Sequence, residues 1–271
     1  MTPQSTPSDN SSAKSDKPAN PQNSRGQADS VQGWARPIDR LKVSDVPVGA
    51  ASINVNGREV VSPMQGFGPL WQKTYKVRLA GASVTPQDVM REWKEHFPKF
   101  QPPENRFLPS MAGVKPGEVL FIEAMLPAWP GSKWGFPVSA GVMVLYADDE
   151  MFTVMTPAGF PEAGWNTFSA YEEEGVTVAQ VQSLARSNDP IYEIGFRFVG
   201  GAAQQEKIWA SVLTALAGHF SVSGLVQTDV SCIDSTIQWS QAKNIWHNAI
   251  VRTVLYKLAA PFRWLASLFK R

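Results

Sequence analysis

Glu123 is the first residue whose type and setting could support chemistry. Between Glu118 and Leu126 the sequence reads as a strand that places Glu123 beside Val119, Phe121 and Met125, with Leu120, Ile122 and Leu126 on the other face. Both faces are apolar, and a carboxyl group in apolar surroundings has a raised pKa, which suits it to act as an acid or base. The other reading is a rim carboxylate paired with a cation. Tyr146 and Tyr192 are candidate hydroxyl donors for a polar ligand, or else packed core residues. The three histidines, His96, His219 and His247, lack metal-ligand spacing, and Cys232 is the single cysteine, so no metal site and no cofactor is expected. Gly200-Gly201, just ahead of a helix, has the form of half an anion cradle. Without a further Gly or a Lys it reads as a turn.

The elements that must position these residues follow from periodicity. Trp71 to Leu79 alternates as a strand. Ile53 to Val61, with Asn56-Gly57 at its centre, reads as a hairpin. Thr85-Pro86-Gln-Asp88 starts a helix: Thr85 caps, Pro86 suits the first position, Asp88 meets the positive end of the dipole, and Pro98 stops it. Val89, Trp93 and Phe97 share one face of that helix. Strands are then expected at Glu118–Leu126, Val138–Tyr146, Met151–Met155, Trp165–Glu172, Val176–Leu184 and Tyr192–Val199. Their short links imply an antiparallel meander. Residues 202–220 form an amphipathic helix with Trp209, Val212, Leu213, Leu216 and Phe220 on its apolar stripe, about 28 Å long. Gly224–Asp234 reads as a further strand.

This order of elements, strands, a short helix, a meander and a long late helix, resembles the START-like, or helix-grip, superfamily. More narrowly, it is similar to a bacterial and plant family of uncharacterised domains within it. The resemblance covers residues about 68–222 and rests on Phe152-Thr-Val-Met-Thr-Pro-Ala-Gly-Phe160, Trp165-Asn-Thr-Phe-Ser169, Tyr192-Glu-Ile-Gly-Phe-Arg-Phe198 and the helix that follows. It implies an α+β fold in which a curved antiparallel sheet wraps a long late helix. It also implies an apolar or amphipathic ligand between the two. On this reading Phe121, Met125, Tyr192, Ile194, Phe196, Trp209 and Leu213 are the candidate ligand contacts, and the 10 Trp and 14 Phe supply either a cavity lining or a thick core. The alternatives are a cyclase, dehydratase or isomerase using Glu123 and a tyrosine, and an interaction protein with no ligand.

Charge is unevenly placed. Six of the 25 basic residues follow Asp234 and none of the 24 acidic ones does, which leaves the rest of the chain at a net −5. A body of that sign lacks the broad basic footprint of nucleic-acid binding. The basic end reads as an extra amphipathic helix capped by Ser235 or Thr236. Trp246, Ile250, Val251, Val254, Leu255 and Leu258 form its apolar arc, continued past Pro261 by Phe262, Leu265, Leu268 and Phe269, with Trp264 at the border and Arg252, Arg263 and Lys270 opposite. That is the pattern of a helix lying on an anionic membrane surface. Docking on a protein partner, on its own domain or on a second copy is the alternative. The first 33 residues, rich in Ser, Pro, Asn and Gln, cannot bury enough surface to order and carry no apolar signal segment. The organisation expected is therefore a disordered tail (1–33), a START-like domain (34–234) and a basic amphipathic segment (235–271). The protein is expected to be cytoplasmic, peripheral to the membrane at most.

Overall fold

The computed structural model describes residues 33–260 except 44, 45, 48, 49, 51, 109, 111 and 128–134. The expected tail, apart from Gly33, and the stretch holding Phe262, Trp264, Leu265 and Phe269 lie outside the described residues.

Eight antiparallel strands form one sheet: β1 (Leu70–Arg78), β2 (Asn105–Leu108), β3 (Val119–Pro127), β4 (Gly135–Ala147), β5 (Met151–Met155), β6 (Glu162–Glu173), β7 (Val176–Ser187) and β8 (Gln227–Asp234). Their order is β2-β3-β4-β5-β6-β7-β1-β8. The consecutive strands make the meander that the short links imply, and β1 inserts beside β7 through a register running from Trp71–Ala185 to Arg78–Val178.

Helix α1 (Pro86–Glu95) begins as its sequence predicts. The Thr85 hydroxyl accepts from the Asp88 amide at 3.2 Å, and Asp88 reaches back to the Thr85 amide. Val89, Trp93 and Phe97 are all buried. The long helix α3 (Gly201–His219) lies on the same sheet face as α1, and Val212, Leu213 and Leu216 are fully buried against it. Stacked Phe152 and Phe168, 4.5 Å apart, join the two helices, with Trp93 and Trp209 edge-on to Phe168. This is the helix-grip arrangement. The opposite face of β3 and β4 packs a smaller cluster of Leu41, Val55, Val119, Phe121 and Met143.

Three expectations are corrected. Ile53–Val61 is no hairpin: Ser52–Asn54 is a 3-10 turn, and Gly57, at φ +77°, closes a turn whose exit bridges Val60 to Pro157. Tyr192–Val199 is not a strand but part of helix α2 (Pro190–Phe198), because Asp189 accepts from the amides of Ile191 and Tyr192 at 2.8 and 3.0 Å and Pro190 takes the first helical position. A capped start with Pro overrides the two-residue alternation. Gly200, at φ +86°, then turns α2 into α3, a conformation costly for any residue with a Cβ. The basic segment is not one long helix from Ser235. It runs as a 3-10 stretch (Trp239–His247) and then α4 (Ala249–Leu258), capped by Asn248 through the amides of Ile250 and Val251.

Candidate functional site

Between the sheet and α3 lies a cavity of about 310 Å³. Its floor is aliphatic, with Ile122 and Ala124 from β3, Val138, Ala140 and Val142 from β4, and Val154 from β5. Aromatic rings of Phe97, Phe107, Phe160, Phe168 and Trp209 close its sides. Helix α2 supplies the wall nearest solvent: Ile191, Tyr192, Ile194 and Phe196 line the cavity, while Ile194 remains 55% exposed. One end is polar. Along the inner face of β6, Glu162 and Asn166 precede Phe168, opposite Gln204, Gln205 and Trp209 of α3.

Glu162 is the carboxylic acid among the lining residues of this cavity. Gln205 donates to its carboxylate at 2.6 Å, and Lys73 in turn donates to Gln205. Burial pushes the Glu162 carboxyl above the ordinary carboxylate range, with Lys73 and Gln205 pulling the other way. Glu162 and Phe196 also border a second cavity of about 190 Å³, which holds Lys73, Glu193 and Arg197. The Tyr192 hydroxyl donates to the Gly159 carbonyl at 3.3 Å, and burial raises its pKa, so it stays protonated and its donor is committed.

Of the candidate ligand contacts, Tyr192, Ile194, Phe196 and Trp209 meet at this cavity. Leu213 sits one turn beyond it in the solid core. Phe121 faces the other side of the sheet, in the cluster beneath the N-terminal segment, and Met125 is 48% exposed. Glu123 shares that outer side and stands 3.5 Å from Arg106, the rim-carboxylate arrangement. Tyr146 is turned out as well: the ladder shifts register between Val144 and Tyr146, and its hydroxyl donates to Asp148 at 2.6 Å beside Trp34. Neither Glu123 nor Tyr146 is among the cavity residues. Glu162 is not among the residues the sequence singles out, because strand β6 starts at Glu162, three residues ahead of the expected Trp165. Its signal was the Glu162–Gly164–Asn166–Phe168 alternation.

Helix α4 docks by an unexpected face. Ala249 and Thr253 are fully buried against β4, and the Asn54 side chain donates to Ser139, Ala249 and Thr253. Arg252, expected on the wet side, donates to Asn54 and to the Ile53 carbonyl. Ile250 reaches the cavity wall. Val254 is half-buried, while Trp246, Leu255 and Leu258 are 82, 59 and 67% exposed. No described helix is long and apolar enough to cross a membrane.

No protein-family model matches the chain, and no curated protein matches it. Solved structures do. Protein Ms6760 from Mycobacterium smegmatis is similar at 12% identity over 55% of this chain and 90% of its own, with a TM-score of 0.39. The helix-grip arrangement of this chain rests on its own geometry, one antiparallel sheet with the long helix α3 packed on the face it shares with α1. Two other similar structures are the di-domain ARO/CYC StfQ from the steffimycin biosynthetic pathway (12% identity, 56% of this chain and 50% of that one, TM-score 0.41) and major latex-like protein 151 from Panax ginseng (13%, 56% and 99%, 0.34).

Proposed function

We propose that this chain is a binding module that holds an apolar or amphipathic small molecule between the sheet and α3. The observation that carries this reading is the 310 Å³ cavity, walled mostly by aliphatic and aromatic side chains with a few polar groups among them. Folded cores are close-packed, and a void of this size forfeits contacts that a filled core would make. Volume, apolar walls and a few convergent polar groups are the features of a ligand pocket. The test is native mass spectrometry of the purified protein together with titration of the neutral fluorophore N-phenyl-1-naphthylamine. A bound molecule or a saturable fluorescence rise is expected, and Ala140→Leu, which pushes a larger side chain into the floor, should abolish either. A protein that carries no adduct and leaves the fluorophore dark up to its solubility limit has no such function.

A second activity is assigned to the exposed stripe of α4 and the 3-10 stretch before it. Trp246, Val251, Leu255 and Leu258 face solvent on a segment that carries Lys243 and Lys257 and no acid. Apolar side chains would enter the headgroup boundary of an anionic membrane, and each nearby cation would add about 1 kcal/mol. Co-sedimentation with vesicles containing anionic lipid is expected for the full chain at low salt. Leu255→Asp combined with Leu258→Asp should leave it in the supernatant. Equal sedimentation of both forms removes this stripe from the reading.

A further inference from the structure

Between β6 and α3 several hydrogen-bonding groups of the cavity have no partner among the described residues. One Glu162 oxygen accepts from Gln205, and the other has no hydrogen-bond partner among the described residues. Asn166, 7% exposed, has a buried side-chain oxygen without a partner. Trp209, one helical turn from Gln205, has a buried indole N–H without one. Lys73, the cation of this group, spends a donor on Gln205 and opens onto the second cavity rather than the first. The unpaired Glu162 oxygen is therefore the charged acceptor at this end of a mostly apolar space, with Asn166, Gln204 and Trp209 around it. Unpaired buried polar groups are costly, and a ligand that pairs them recovers that cost.

Resting on the binding function proposed above, we infer that the cavity selects a neutral apolar molecule carrying a hydroxyl group at one end and rejects the carboxylate of the same skeleton. A hydroxyl donates a hydrogen bond and carries no charge, so it can satisfy the free Glu162 oxygen while the apolar skeleton fills the rest of the cavity. A carboxylate can only accept. It would leave the free Glu162 oxygen unpaired and set a second negative charge beside it, where like-charge contact is unfavourable.

The experiment displaces N-phenyl-1-naphthylamine from the full chain with 2-naphthol, 2-naphthoate and 2-methylnaphthalene at pH 7.5. The naphthol is expected to compete about tenfold or more tightly than the naphthoate. Glu162→Gln should bring the two within about threefold, since its amide can donate to a carboxylate and carries no charge. Should that variant fail to fold, Asn166→Leu serves instead: it must weaken the naphthol relative to 2-methylnaphthalene. Naphthoate binding as tightly as naphthol overturns the inference, as does a selectivity that survives Glu162→Gln, or an Asn166→Leu variant that weakens both competitors alike. Displacement by 2-methylnaphthalene alone overturns it too, while leaving the cavity reading intact. A fluorophore that never binds sinks the cavity reading itself.

Discussion

Asn248 donates through Nδ2 to Asp189 Oδ2 at 2.8 Å, and each of these residues also caps its own helix. Asp189 starts α2, the wall between cavity and solvent, and Asn248 starts α4. Both are completely buried. The link is doubled at Gly159, whose carbonyl accepts from the Ala249 amide at 2.9 Å and from the Tyr192 hydroxyl. A Cβ at Gly159 would collide with the His247 carbonyl, so the close approach of the two helix starts requires glycine there. The cavity wall and the C-terminal helix are in this sense one hydrogen-bonded unit.

Asn248→Ala should therefore loosen both helices. It removes a cap and leaves a buried Asp189 oxygen unpaired, a loss of about 1–3 kcal/mol. Chemical denaturation gives the magnitude. Hydrogen exchange gives the coupling: protection should fall in residues 190–198 as well as in 249–258. Faster exchange confined to α4 would show that the two caps act separately.

Glu162→Gln should change stability in a pH-dependent way. A carboxyl group whose folded-state pKa is raised by burial contributes nothing adverse below its ordinary value of 4.5, where both states are protonated, and destabilises the fold as pH rises and the buried group must ionise. Wild type and variant are expected to melt together near pH 4, and the variant to melt higher by pH 8. A difference that stays constant across that range would mean that Glu162 ionises freely.

Leu213→Ala should cost about 2–5 kcal/mol, since the side chain is fully enclosed. Ile194→Ala, at a side chain more than half exposed, should cost well under half of that, yet weaken binding of an apolar probe. Equilibrium unfolding and fluorophore titration of the two variants separate core from cavity wall. Comparable stability losses would place Ile194 in the core instead.

Glu123→Gln tests the residue that the sequence offers as a candidate acid or base, with a rim carboxylate as the other reading. Its partner Arg106 is 59% exposed and 3.5 Å away, so the pair adds little. Stability should change by less than about 1 kcal/mol, and probe binding should stay as in wild type. A loss of binding would return Glu123 to the site.

A chain ending at Asp234 should be less stable than the full chain. It would uncover Val138 and Ala140, which pack against Ala249, and strip Ile250 from the cavity wall. A lower melting temperature with weaker probe binding is the expected result. A truncated chain as stable as the full one would mean that α4 adds nothing to the fold.

Local signals were enough for most of the framework. Thr85-Pro86-Asp88 marks the start of α1, the spacing of Trp209, Val212, Leu213 and Leu216 marks the buried stripe of α3, and alternation with short links makes the meander. These follow from capping chemistry and from the 3.6- and 2-residue periods, which neighbouring residues decide among themselves. Asp189-Pro190 was equally legible. It carries the same start signal as Thr85-Pro86, but the alternation of Tyr192, Ile194, Phe196 and Phe198 read more strongly. What local pattern could not decide is which face of a two-sidedly apolar element meets which neighbour. Phe121 and Ile122 are equally apolar, and only the packing of the N-terminal segment onto the outer side of the sheet turned Phe121, Glu123 and Met125 away from the cavity. A register shift did the same to Tyr146, and the buried amide of Asn54 chose Ala249 and Thr253 over the apolar arc of α4. Glu162 became a cavity residue through Gln205 and Lys73, 43 and 89 positions away in sequence, partners brought to it only by the crossing of α3 over the sheet and the insertion of β1 beside β7.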